Sequence, residues 1–235
     1  MAETTTRHVF QEELQALENR TLEGLDMVVS TLDRTLEAVQ HQDIELASLV
    51  IADDDRLDGR YLEVHQGVLS LLARQAPVAT DLRLVAAILH VIRHVERMGD
   101  QCVNICKLLP LEGHETPRHE EMLAKISQMG RQARTQIIQA KEAFCRRDPA
   151  MAEDLCRQDD IIDVLNREVF YLALDIGDDI EMREWAMHMM LVARCIERVG
   201  DNAVDIGEQT AFVVTGLFRE FEDASHPELT VGGSA

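Results

Sequence analysis

The chain has 235 residues, 46% of them hydrophobic and 28% charged, which is typical of a globular protein with one large or two small domains. Its formal net charge of −20 disfavours binding to nucleic acid or to anionic lipid, because both need a basic surface. We therefore expect partners that are cations or basic surfaces of other proteins.

Apolar residues recur at intervals of three and four, as in Leu14, Leu17, Leu22 and Leu25, and this periodicity predicts α-helices. Aromatic residues make up 4% of the chain, and alternating runs of Val, Ile and Thr are lacking, so we expect no sheet. Proline, glycine and polar residues divide the chain into six long helices. We place these helices at 8–40, 44–75, 79–109, 119–147, 150–176 and 181–222.

The two halves of the chain repeat the same acidic motifs. Residues 54–58 read DDRLD and residues 159–163 read DDIID, while residues 96–100 read ERMGD and residues 197–201 read ERVGD. The repeat predicts an all-α fold of two tandem three-helix bundles related by pseudo-twofold symmetry. We assign residues 1–112 to the first bundle, 113–222 to the second, and 223–235 to a disordered tail.

Each ERxGD motif starts a stripe of oxygen-bearing side chains at steps of four, because four residues turn a helix through about 400°. The first stripe is Glu96, Asp100 and Asn104, and the second is Glu197, Asp201 and Asp205. Both border the apolar face of their helix. Like charges at this spacing are destabilising unless a cation or an arginine neutralises them.

The stripes predict sites for hard cations, which a second helix can complete, as Asp54 and Asp58 could do opposite Glu96 and Asp100. Carboxylate-rich sites suit iron, manganese, magnesium or calcium, with zinc and nickel also compatible. A step of four rises by about 6 Å, so three successive ligands favour a polynuclear site or two neighbouring sites.

A salt-bridged helix surface is the alternative interpretation of the stripes. Arg93, Arg97, Arg194 and Arg198 each precede an acidic residue of a stripe by three positions, and pairs at this spacing are ordinary helix electrostatics. The duplication of the motifs favours the cation sites. Gly99 and Gly200 interrupt the two helices beside the stripes, which predicts close approach of a neighbouring helix there.

No motif predicts catalysis. The chain lacks Glu-x-x-His, which weighs against a ferritin-like di-iron enzyme, and it lacks a nucleophile motif, a phosphate-binding glycine loop and a CxxC pair. His90 and His94 lack a third ligand, so we interpret them as structural or exposed. Cys102 and Cys106 share a helix face and could be soft ligands, although a free cysteine is more often a small buried hydrophobe.

The chain has no apolar run of the roughly 20 residues that a membrane-spanning helix needs. It also shows no signal peptide, and its five cysteines form no obvious disulfide framework. We therefore expect a cytoplasmic protein with reduced thiols and no direct membrane insertion.

The chain resembles the PhoU family, the phosphate-signalling proteins of bacteria, in residues 77–106, in residues 194–207 and in the two Asp-x-x-x-Asp segments. The resemblance implies two three-helix bundles, metal clusters on the acidic motifs with iron or zinc in some members, and homodimers. It also implies negative regulation of the phosphate regulon, between a sensor histidine kinase and the cytoplasmic ATPase subunit of a phosphate ABC transporter. A metal-storage or metal-dependent carboxylate protein without a signalling role is the alternative, and a purely structural helical adaptor is a third hypothesis.

By motif match, ten residues inherit the metal role: Asp54, Asp58, Glu96, Asp100 and Asn104 in the first half, and Asp159, Asp163, Glu197, Asp201 and Asp205 in the second. The chain departs from the family pattern at two kinds of position. Gln101 and Asn202 stand where many members have histidine. Asn104 replaces a carboxylate, so we expect the first site to bind a cation more weakly than the second.

Overall fold

A computed structural model describes residues 2–109 and 118–221, with the side chains of residues 2–6 not described. The described residues contain helices and turns but no strand. The helices are α1 (Ala2–His41), α2 (Ile44–Ala52), α3 (Asp54–Arg74), α4 (Ala79–Lys107), α5 (Glu120–Arg146), α6 (Pro149–Leu174) and α7 (Ile180–Thr215).

Short aspartate-led turns start several of these helices. Asp43, Asp148 and Asp179 have extended backbones, and their side chains accept hydrogen bonds from the first free N–H groups of α2, α6 and α7. Pro149 occupies the first turn of α6, where its missing N–H costs no hydrogen bond. These local signals explain why most helix starts were predictable.

The helices pack in two groups of the expected kind. In the first group α1, α3 and α4 contact one another, with the short α2 against α1 and α4, and in the second group α5, α6 and α7 do the same. The groups meet where α4 packs on α7 and α1 packs on α5. Their apolar faces form one core that includes Leu25, Ile92 and Ile196, each 0% exposed. The predicted all-α, two-repeat bundle is confirmed.

Three of the predicted helix limits are wrong, and the first is the start of α1, which begins at Ala2 rather than at residue 8. The helix expected at 44–75 is broken at Asp53, which ends α2 with an N–H to the carbonyl of Leu49 and starts α3. Arg34 of α1 holds the Asp53 carboxylate at 2.7 Å, a tertiary contact that no local pattern signals. The last helix ends at Thr215 rather than 222, because Gly216 has φ 75 and terminates it.

The assigned boundary between residues 112 and 113, and the tail 223–235, lie outside the described residues.

Candidate functional site

The first acidic site lies where α3 faces α4. Burial raises the pKa of Asp54, and the carboxylates of Asp58 and Asp100 raise it further. Burial and Asp100 likewise raise the pKa of Glu96, although Arg93 pairs with Glu96 at 3.2 Å and opposes this effect. These four carboxylates therefore act on one another across the two helices, as the motif spacing predicts.

The second acidic site repeats this arrangement between α6 and α7 with stronger electrostatics. Burial raises the pKa of Asp159 to about 7 against the hydrogen bond from Gln136, and Asp201 and Asp163 add to the increase. Burial, Asp201 and Asp163 also raise the pKa of Glu197 to about 7, although Arg194 pairs with Glu197. The raised pKa values mean that ionising these two buried carboxyl groups costs free energy. A cation bound beside them lowers this cost.

A cavity of about 320 Å³ opens at the second site. It is lined by Cys156, Asp159, Asp160, Asp163, Asp201, Val204, Asp205, Glu208, Glu220 and Phe221. Four of the five residues predicted for this half are among them, and Glu197 lies one helical turn before Asp201. The cavity is large enough for more than one hydrated cation.

The glutamates that start the two stripes share an unusual feature among the described residues, a buried oxygen without a hydrogen-bond partner. Glu96 and Glu197 stand at equivalent positions of the repeat, and each pairs with the arginine three residues before it through Oε1. The other oxygen, Oε2, finds no hydrogen-bond partner among the described residues in either case. The salt-bridge interpretation therefore accounts for one oxygen of each glutamate and leaves the other free for a cation.

The carboxylates of the two acidic sites are of the chemical type that binds a hard cation, but their oxygen atoms are not already placed to coordinate one. Within the described part of the chain, no three His, Cys, Asp or Glu side chains are already arranged around one point. A bound ion therefore requires the carboxylates to turn toward it. Asn104 is exposed at the end of the first stripe.

Neighbouring helices come close to both motif glycines, Gly99 and Gly200. A Cβ at Gly99 would come within 2.6 Å of Cδ1 of Leu57 on α3. A Cβ at Gly200 would come within 2.5 Å of Oδ1 of Asp159 and 2.9 Å of Oε1 of Gln136. The predicted helix approach is confirmed, and at Gly200 the residue that approaches is a candidate ligand.

His94 links the two repeats. Its side chain is buried, and its Nδ1 lies 2.8 Å from Oδ1 of Asn202 and 3.4 Å from Oδ2 of Asp205. Burial lowers the pKa of His94. The structural interpretation holds for His94, while His90 is exposed. Asn202, which departs from the family pattern, thus serves the contact between α4 and α7.

The two cysteines beside the first stripe belong to the core. Cys102 and Cys106 are free thiols that are fully buried, and Cys106 lies 3.8 Å from the hydroxyl of Thr35. Burial raises the pKa of Cys102 to about 12, so its thiol stays protonated at neutral pH. This supports the interpretation of both residues as small buried hydrophobes.

Sequence reasoning missed three residues of the second site. Gln136 of α5 is fully buried and donates to Oδ1 of Asp159 at 3.1 Å. Glu208 lies seven positions after Asp201, so a longer stripe would have included it. Glu220 follows the turn at Gly216, and no helical periodicity relates it to α7.

None of the helices in the described ranges is both long and apolar enough to cross a membrane.

The chain matches known proteins over most of its length. The PhoU domain model matches residues 21–109 and 126–210. A relative from Clostridium acetobutylicum, named phosphate-specific transport system accessory protein PhoU homolog, is 29% identical over 220 residues, which cover 93% of this chain and 100% of the relative. PhoU homolog 1 of Mycobacterium leprae is 29% identical, with 91% of this chain and 96% of the relative covered.

Two solved structures share the fold. The phosphate transport system regulatory protein PhoU from Streptococcus pneumoniae superposes with a TM-score of 0.81 at 24% identity, covering 89% of this chain and 99% of that one. PhoU from Pseudomonas aeruginosa gives 0.79 at 25% identity, covering 88% and 100%. With the family model matching both halves of the repeat, the chain belongs to the PhoU family.

Proposed function

We propose that this protein is an accessory regulator of phosphate transport that lowers phosphate-regulon output when phosphate is plentiful. It acts in the cytoplasm, as a homodimer, between the ATPase subunit of a phosphate ABC transporter and a sensor histidine kinase. Support comes from the family membership and from relatives, matched over nearly their whole length, that are named phosphate-specific transport system accessory proteins.

The regulator needs no chemical step of its own. Differential affinity for two states of a partner is sufficient to shift that partner's equilibrium. The net charge of −20 favours basic surfaces on the partners.

We further propose that both acidic sites bind divalent or trivalent cations, iron or zinc foremost and manganese, magnesium, calcium or nickel as compatible ions. The observation that carries this proposal is the unpartnered, buried Oε2 of Glu96, repeated at Glu197. A buried carboxylate oxygen without a partner is costly, and a cation offsets that cost. An identical arrangement at two positions of the repeat favours a shared ligand chemistry.

Deletion of the gene in its host tests the regulatory role. We expect phosphate-starvation genes to be expressed at high phosphate, which a transcriptional reporter and phosphate uptake measure. Wild-type complementation should restore repression. Unaltered reporter expression and uptake, in a strain with no paralogue, would refute the role and leave metal storage as the better function.

A site variant connects the two proposals. Complementation with Asp201→Asn plus Asp205→Asn should restore repression incompletely, because the second site loses two charges. Asp175→Asn is the matched control, since Asp175 is exposed at the end of α6 and away from the cavity. Full repression by the double variant would show that regulation does not depend on the second site.

A further inference from the structure

After α7 the chain turns back over the second acidic site. Gly216 ends the helix with φ 75, and its N–H donates to the carbonyl of Phe212 at 2.8 Å. Phe218 then stacks on Phe212, with ring centroids 3.9 Å apart and planes 16° apart. The backbone N–H of Phe221 donates to Oε1 of Glu208 at 2.8 Å. We call residues 216–221 the C-terminal strap.

The C-terminal strap forms one wall of the cavity of the second site. Glu220 and Phe221 of the strap form one part of its lining, and residues of α6 and α7 form the rest. A Cβ at Gly207 would stand 3.2 Å from Cε2 of Phe221, so the glycine lets the aromatic ring lie against the helix. Three contacts therefore hold the strap: the stacking of Phe218 on Phe212, the hydrogen bond from the N–H of Phe221 to Glu208, and the contact of the Phe221 ring with α7 at Gly207.

Glu220 of the strap adds a carboxylate to a cavity that is already acidic. Seven carboxylates line it, namely Asp159, Asp160, Asp163, Asp201, Asp205, Glu208 and Glu220. Its described lining contains no lysine, arginine or histidine. Two like charges about 4 Å apart repel by about 1 kcal/mol even in water. Docking of Glu220 beside Glu208 and Asp205 is therefore opposed by charge, unless a cation lies between them.

A buried group next to the cavity also points to a cation. Glu197 is 8% exposed, and its Oε2 finds no hydrogen-bond partner in the described ranges. The charges of Asp163 and Asp201, two of the lining residues, act on its carboxylate. Glu197 therefore offers a buried, unpartnered oxygen within the electrostatic reach of two residues that line the cavity.

In the first repeat a lysine occupies the position that corresponds to Glu208. The repeat offset of 101, from Glu96 to Glu197, places Lys107 opposite Glu208. Lys107 lowers the pKa of Asp54, so its charge already reaches the first site. The second site therefore has a carboxylate at the position where the first half has a positive charge, so Glu208 has no acidic counterpart in the first repeat.

We propose that Glu208 and Glu220 are further cation ligands of the second site, and that a cation bound there fixes the C-terminal strap over it. This inference rests on the cation binding proposed above. By linkage, a strap that adds ligands tightens cation binding, and the cation stabilises the docked strap by the same factor. Cation occupancy is thereby converted into a change in the position of the strap, which a partner can recognise.

Limited digestion of the full chain with trypsin tests the proposal, because Arg219 lies within the strap and is exposed. Intact-mass measurement detects the loss of residues 220–235. Digestion in the presence of Mn²⁺ is compared with digestion in the presence of a chelator. We expect Mn²⁺ to slow cleavage after Arg219 by about tenfold, a typical size of coupling between sites. A small chromogenic substrate monitors any effect of Mn²⁺ on trypsin itself.

Two isosteric variants identify the ligands. Glu220→Gln and Glu208→Gln should each weaken Mn²⁺ binding, measured by electron paramagnetic resonance, and reduce the protection of Arg219. In Glu208→Gln the side-chain oxygen can still accept a hydrogen bond from the N–H of Phe221. Weaker Mn²⁺ binding by this variant would therefore result from the missing charge. Asp100→Asn is the matched control, since it alters the first site and should leave the protection unchanged.

The outcomes separate this inference from the function it rests on. The proposal for the strap would be refuted if Mn²⁺ bound wild type and both glutamine variants equally, or if bound Mn²⁺ left Arg219 unprotected. Either result would leave the proposed cation sites intact. Failure of both Mn²⁺ and Zn²⁺ to bind the wild-type chain in equilibrium dialysis would overturn the cation sites together with the strap. The regulatory role is tested independently by the gene deletion.

Discussion

Replacement of Glu197 by glutamine should make the metal-free protein more stable at high pH and less responsive to metal. Burial raises the pKa of this carboxyl from 4.5 to about 7. At 1.36 kcal/mol per pH unit, ionising it in the folded protein costs about 3 kcal/mol more than in the unfolded chain. Glutamine keeps the shape and can still accept a hydrogen bond from Arg194.

The sign of the pH dependence follows from the same values. The unfolded chain releases the Glu197 proton near pH 4.5, while the folded protein holds it until about pH 7. The free energy of unfolding therefore falls as pH rises between these values and levels off above pH 7. Glu197→Gln removes the part of this decline that Glu197 causes, while Asp159 still contributes its own, so the variant's advantage over wild type should be small near pH 4.5 and reach about 3 kcal/mol at pH 8.

Urea unfolding followed by circular dichroism, in chelator at pH 5 and pH 8, measures both free energies. Glu96→Gln is the matched control, because Glu96 holds the equivalent position and its side chain is more exposed, 17% against 10% for Glu197; its effect should be smaller. Saturating cation should stabilise wild type by about 2.7 kcal/mol at a hundredfold excess over Kd, and Glu197→Gln by less. Equal pH dependence in wild type and Glu197→Gln would refute the reasoning.

Two further predictions concern the neighbours of the sites. Asn104→Asp should tighten cation binding at the first site, which calorimetric titration against the unchanged second site would detect; an unaltered titration would count against a ligand role for position 104. Gly200→Ala should lower stability by about 1–2 kcal/mol and weaken the second site, because the added Cβ would lie 2.5 Å from Oδ1 of Asp159. In contrast, Gly59→Ala in α3 meets nothing within 4 Å and should stabilise by up to about 1 kcal/mol; a loss at Gly59 equal to that at Gly200 would contradict the steric argument.

The helices and the acidic stripes could be predicted because their signals are local. Apolar spacing of three and four reflects the helical repeat itself, and the stripe from Glu197 to Asp205 follows from the same period. Asp148 and Asp179 cap helices through bonds to residues two and three positions away. The duplicated motifs then indicated two bundles, and the packing of the helices bears this out.

The all-α repeat and the type of side chain at each site can therefore be inferred from the sequence, since both depend on spacing along one helix. Tertiary structure decided the rest, because it depends on contacts between residues far apart in the chain. At the break between α2 and α3, Asp53 pairs with Arg34 of α1, nineteen residues away in the chain. The different exposure of Glu96 and Glu197 depends on the helices packed against each. The presence of Glu220 at the second site depends on a turn at Gly216 and on a ring stack that no helical period encodes.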